Sequence, residues 1–178
     1  MEKQREAGFT LVELMLVVTL VGILSAVAVP SFLRARGAAQ EVSTIGSLRT
    51  IHSAQVSFSS SCGGGYYAPT MPSLATKPTG SQAAFIGPEF AANTTNRYGY
   101  VIRFTAGTVA ATAPASCNGL AKGKTVGTFL VAADLLQATN SLISRYFGVN
   151  ASGVIFQSTK RVPVTQTGVP PAPAKPIG

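Results

Sequence analysis

The stretch GFTLVELMLVVTLVGILSAVAVP, Gly8 to Pro30, decides the fold. From Phe9 to Val29 it is apolar or small at every position but one. An α-helix crosses a bilayer with about 20 such residues, so this run is long enough to span. The exception is Glu13. A carboxylate at bilayer depth costs roughly 2.5–3.5 kcal/mol even on lenient insertion scales, so its presence calls for a partner.

Three readings of the segment compete. A secretory signal would use Ala26-Val27-Ala28 as a small-residue cleavage site. Its n-region, however, sets Lys3, Arg5 and the amino terminus against Glu2, Glu6 and Glu13, and secretory n-regions are net positive. A plain membrane anchor leaves Glu13 without a reason. The third reading places processing at the polar junction before Phe9 and keeps the apolar run on the mature chain.

Glu6-Ala7-Gly8 followed by Phe9-Thr10-Leu11-Val12-Glu13 resembles the leader junction of type IV prepilins and pseudopilins. The likeness is dense from Gly8 to about Arg36 and includes Gly22 and Pro30; further on it is one of general layout. It implies that residues 1–8 are a leader removed between Gly8 and Phe9 by a prepilin peptidase. It also implies N-methylation of Phe9 and a filament in which Glu13 meets the amino terminus of a neighbouring subunit. The chemistry suits that role. The freed amine has an ordinary pKa near 8, and opposite charges attract far more strongly in a low-dielectric core than in water.

Past the apolar run the helical spacing continues. Ser31 to Ser60 contains no proline, and Ala38, Val42, Ile45, Leu48, Ile51, Val56 and Phe58 are expected to form its apolar face. The sequence thus predicts one helix in two halves, residues 9–30 for the membrane or filament core and residues 31–61 amphipathic. Pro30 removes a backbone hydrogen bond between them and is expected to kink the helix. The glycines after Cys62 suit a helix end.

Residues 62–162 remain for a globular head. Tyr66 to Asn96 is rich in Pro, Gly, Ser and Thr and reads as a long loop with a short helical turn. Strands are expected at Tyr98–Phe104, Phe129–Ala133, Arg145–Val149 and Gly153–Gln157, the last two joined by a turn at Asn150-Ala151-Ser152-Gly153. An α+β fold follows, with a long kinked N-terminal helix packed on a three- to four-stranded antiparallel sheet, as the pilin resemblance implies. Residues 163–178 hold five prolines and are expected to be a mobile extended tail. If the head folds outside the cytoplasm, Cys62 and Cys117 are expected to form a disulfide; the alternative is two buried thiols.

The chain carries 14 basic and 6 acidic side chains, a net charge of +8. Such a surface can attract nucleic acid, but no basic cluster is denser than Arg34/Arg36, Lys122/Lys124 and Lys160/Arg161, so scattered solubilising charge is the plainer reading. Gly119-Leu120-Ala121-Lys122-Gly123-Lys124-Thr125 resembles a phosphate-binding loop, yet its glycines are too close together and a strand is expected after it. The one histidine, His52, reads as a packing residue, and no carboxylate pair or catalytic triad is legible. No enzyme, cofactor or metal site is expected. Asn93-Thr94-Thr95 and Asn150-Ala151-Ser152 match the glycosylation tripeptide, a pattern common by chance.

The expectation is a structural subunit of a bacterial type IV pilus. It would be held in the inner membrane by a single pass, acted on by the peptidase and the assembly machinery, and then polymerised with its own kind into an extracellular pilus. The alternatives are a periplasmic pseudopilin of a type II secretion system and a minor or DNA-uptake pilin using the basic head. Major pseudopilins commonly carry a calcium, which wants several carboxylates, and the head offers Glu89 and Asp134.

Overall fold

The computed structural model describes residues 8–136, 145–163 and 165–177. Helix α1 (Leu11–Ser61) is a single 51-residue rod. Thr10 caps its start, accepting the Glu13 backbone N–H on its hydroxyl at 3.3 Å and donating to Glu13 Oε2. Thr10 thus supplies the N-cap half of a Thr-x-x-Glu capping box, while the Glu13 carboxylate meets the Thr10 hydroxyl rather than its backbone N–H. The helix ends where Cys62 N–H and Gly63 N–H both donate to Phe58 O, and Gly64 and Gly65 follow at φ +59° and +91°. Glycine takes this left-handed region without the Cβ penalty.

The two halves of α1 differ in what covers them. Residues 11–36 are exposed all round. From Gly37 a buried stripe runs through Glu41, Thr44, Leu48, Ile51, Gln55 and Phe58, alternating steps of four and three as one helix face requires. The stripe corrects the expected face. Leu48, Ile51 and Phe58 are buried, but Val42 and Val56 are exposed and Ile45 is half-buried. The apolar pattern misled because the true face includes polar residues with partners. Gln55 donates to and accepts from the Ala68 backbone, at 3.1 and 2.9 Å, and Thr44 Oγ1 donates to Gln40 O within the helix. Satisfied polar groups are admitted to a core that would exclude bare ones.

Six strands form one antiparallel meander: β1 (Thr94–Arg97), β2 (Tyr100–Ala106), β3 (Phe129–Leu135), β4 (Tyr146–Asn150), β5 (Ile155–Ser158) and β6 (Lys175–Pro176), adjacent in that order. Four follow the expected strands to within a residue or two at most ends. Two edge strands were not foreseen, and the sheet is wider than three or four. Alternation turns Tyr100, Ile102, Phe129, Val131, Ala133, Phe147 and Val149 toward α1, where they join Leu48, Ile51 and Phe58 in the core. The Tyr66–Asn96 region carries a short helix α2 (Met71–Ala75) and a 3-10 turn at Pro88–Phe90, both sending side chains into that core. At its end Thr94 begins β1.

The expected mobile tail is instead a strap. Val162 is buried, and a Cβ on Gly148 would meet its Cγ1 at 3.3 Å, on the sheet face turned away from α1. Gln166 accepts from Thr128 Oγ1 at 3.1 Å and donates to Ala106 O at 2.8 Å. The Asn150 amide donates to Thr165 O and Gly168 O at 3.1 and 2.9 Å. The chain then returns as β6, pairing Gln157 with Lys175, and Ile177 N–H donates to Ile155 O. Proline lacks a donor but tolerates extended edge positions. Composition alone therefore could not separate a strap from a tail.

Candidate functional site: a bare apolar stem and a locked head

Phe9 is 77% exposed and the large side chains from Leu11 to Phe32 are all exposed. An apolar surface this long is unfavourable in water and calls for apolar surroundings. Among the described residues α1 is the one helix long and apolar enough to cross a membrane. Glu13 is the single charge on the stem before Arg34. It sits in the first helical turn, where the helix dipole favours an anion. Gly8 and Phe9 precede the helix, outside its hydrogen-bonded turns. Residues 1–7 of the expected leader lie outside the described residues. Pro30 lies inside α1, which is assigned continuously through it.

The head is fastened to the upper half of α1 by groups that sequence reading missed. Arg145, just before β4, donates through Nε to Glu41 Oε2 at 3.0 Å and through Nη2 to the same oxygen, and through Nη1 to Gln157 Oε1 at 3.1 Å. That hydrogen bond to Glu41 holds the guanidinium pKa above its ordinary value. Tyr100, fully buried, donates its hydroxyl to Arg145 O at 2.9 Å. Burial first, and the Glu41 charge second, push the phenol well above its usual 10, so it stays a donor. Glu41 was legible only as an acid on a helix. Its partner lies 104 residues away, and no local pattern links the two.

On the other face Asp134, 3% exposed, is gripped by Arg103 from β2 and by Arg161 from the strap, the latter at 3.3 Å. Cys62 and Cys117 form a disulfide with Cα atoms 4.9 Å apart, tying the helix end to the loop before β3. His52 is half-buried beneath the β4–β5 turn, and its Nε2 is buried without a partner. Desolvation lowers its pKa.

The remaining motifs separate clearly. Gly119 to Thr125 is a turn-rich connection with no helix following, so no phosphate loop exists there. Asn150 is fully buried with its amide committed to the strap, which removes it as a glycosylation acceptor. Asn93 is exposed and uses its Oδ1 to accept Met71 N–H at 2.8 Å.

One long helix with a bare apolar half, its other half laid on an antiparallel meander, is the arrangement of the type IV pilin fold. The prokaryotic N-terminal methylation motif matches residues 3–29. The type IV major pilin protein PilA of Myxococcus xanthus (strain DK1622) is 41% identical over 54 residues, covering 30% of this chain and 24% of that protein. The chain thus spans about a quarter of the length of that curated relative. No solved structure matches. The N-terminal segment is therefore similar to that of prepilins, and the helix and sheet are arranged as in the pilin fold.

Proposed function

We propose that this chain is a structural subunit of a bacterial type IV pilus. Cleavage between Gly8 and Phe9 by a prepilin peptidase frees the Phe9 amine, which is then methylated. Residues 9–30 hold the subunit in the inner membrane until the assembly machinery moves it into an extracellular filament, whose core the stems then fill. In that core Glu13 meets the Phe9 amine of a neighbour. Pro30, with one missing backbone bond, is the place where the stem bends or unwinds. The observation that carries this reading is the bare apolar stem that begins at the Gly8-Phe9 junction and holds one carboxylate. A structural rather than enzymatic role fits the pilin likeness.

The test is N-terminal mass spectrometry of the cellular protein together with electron microscopy of the wild-type and deletion strains. A methylated start at Phe9 and filaments lost on deletion are expected. A start at Val29 would mean that the Ala26-Val27-Ala28 site is used, and it would refute the reading. Among the alternatives, a calcium-bearing pseudopilin is disfavoured because Asp134 is already held by two guanidinium groups. A specific observation favours a DNA-binding subunit more. Glu41 and Asp134 are buried in ion pairs, which leaves Glu89 as the exposed carboxylate of the described head among many surface cations. DNA affinity falling steeply with salt would identify that role.

A further inference from the structure

We propose that Arg145, Gln157 and Lys175 shape a pocket on the lower rim of the head that receives the phosphodiester of an anionic lipid headgroup. The inference rests on the membrane-anchored stage proposed above. The pocket has a volume of about 260 Å³ and is lined by Arg145, Gln157, Ser158, Thr159, Pro173 and Lys175. Its polar side chains offer donors. Arg145 Nη1 donates to Gln157 Oε1, which fixes the amide with its oxygen engaged and its NH₂ group free to donate. Gln157 and Lys175 are register partners on β5 and β6, so their side chains stand on one face. Arg145 spends three of the roughly five donors of a guanidinium on Glu41 and Gln157, and the others are uncommitted. The Glu41 carboxylate lies behind the guanidinium and balances its charge. Lys175 is exposed, makes no ion pair among the described residues, and supplies the uncompensated charge. One uncompensated cation amid neutral donors suits a singly charged phosphodiester.

Position selects the source of that phosphate. Gly37 and Glu41 are the first residues of α1 that the head buries, so Arg145 marks the end of the head nearest the apolar stem. Glu41 follows Arg34 by two helical turns, about 10 Å along the axis. The headgroup layer extends roughly 5–7 Å beyond the hydrocarbon on each side, and a lysine side chain bridges the remainder. With the stem in a bilayer, the pocket therefore opens at headgroup level. It would hold the head down on anionic membrane until assembly draws the subunit out.

The test uses the full chain in nanodiscs of phosphatidylcholine, with and without phosphatidylglycerol, read by hydrogen exchange at Gln157–Lys160 and Lys175–Ile177. Phosphatidylglycerol is expected to slow exchange there about fivefold, the effect of one basic side chain at an anionic surface. Lys175→Gln and, independently, Gln157→Glu should abolish the slowing, whereas Lys77→Gln, in a different depression of the head, should keep it. Equal exchange in the two lipids overturns the proposal, as does equal loss in Lys77→Gln, which would signal diffuse charge attraction. Slowing by inorganic phosphate in phosphatidylcholine discs would mean a soluble-anion site and also overturns it. A chain that inserts in neither disc refutes the anchored stage itself, and this inference with it.

Discussion

Arg145 Nε stands 3.0 Å from Glu41 Oε2, joining the first buried turn of α1 to the edge of β4. Removing one partner of a fully buried pair typically costs 3–5 kcal/mol. Half of the Arg145 side chain is in solvent, which screens the pair. Glu41→Ala is therefore expected to destabilise the head by about 2 kcal/mol. Arg145→Ala in the Glu41→Ala background should add little. Denaturant unfolding of the four variants of this cycle, in detergent, measures the coupling, and purely additive losses would show that the two groups do not act as a pair.

The Cys62–Cys117 bridge spans a sequence separation of 55. In the chain-entropy picture a loop of that size contributes about 4 kcal/mol by restricting the unfolded chain. The double Cys→Ser variant is expected to fall by about that amount, and the unbridged head to become the first part to exchange amide protons. A reduced protein as stable as the oxidised one would refute this.

His52 should make stability depend on pH. Burial lowers its pKa below 6.5, so the unfolded chain takes up the proton first. The contribution is complete above about pH 6.5 and is lost as pH falls through that value toward the lower folded pKa. Melting temperature should drop between about pH 7.5 and pH 5, and His52→Gln should flatten that part of the curve. An unchanged curve in the variant would exclude His52 as its source.

Gly153 lies at φ +80°, and a Cβ there would sit 3.0 Å from His52 Cε1. Gly153→Ala is expected to cost about 1–2 kcal/mol from the left-handed backbone alone, with more if the imidazole cannot shift. Gly153→Asn, which tolerates that backbone better, should lose less from strain. Thermal unfolding of the pair separates backbone strain from crowding against the ring.

Glu13→Leu tests the proposed pairing in the filament core. Membrane insertion should survive and even improve, since a charge costing roughly 2.5–3.5 kcal/mol is gone. Cleavage after Gly8 should survive as well. Assembly should fail, because each incoming subunit would bring an amine with no carboxylate to meet it. Surface filaments are counted at matched expression, and normal piliation by fully processed mutant protein would refute the pairing role.

Much of this molecule is local, and that part is legible in short stretches of residues. The apolar run with Glu13, the helix end at Gly63 to Gly65, and the Asn150–Gly153 turn each follow from a few adjacent residues whose chemistry permits one conformation. Two cysteines in one chain allowed one pairing. Tertiary structure alone decided the rest, because it depends on partners far apart in sequence. Glu41, Gln55 and Asp134 look like surface residues until Arg145, the Ala68 backbone, and Arg103 with Arg161 are brought to them. Their burial shifted the helix face away from the one that the apolar residues marked. The five prolines of residues 163–178 point to a mobile extended tail. It is held instead by donors and acceptors on Thr128, Asn150 and Gln157, which only the folded sheet places along its path. A polar group's solvation is a property of its surroundings, and those surroundings exist only once the chain has folded.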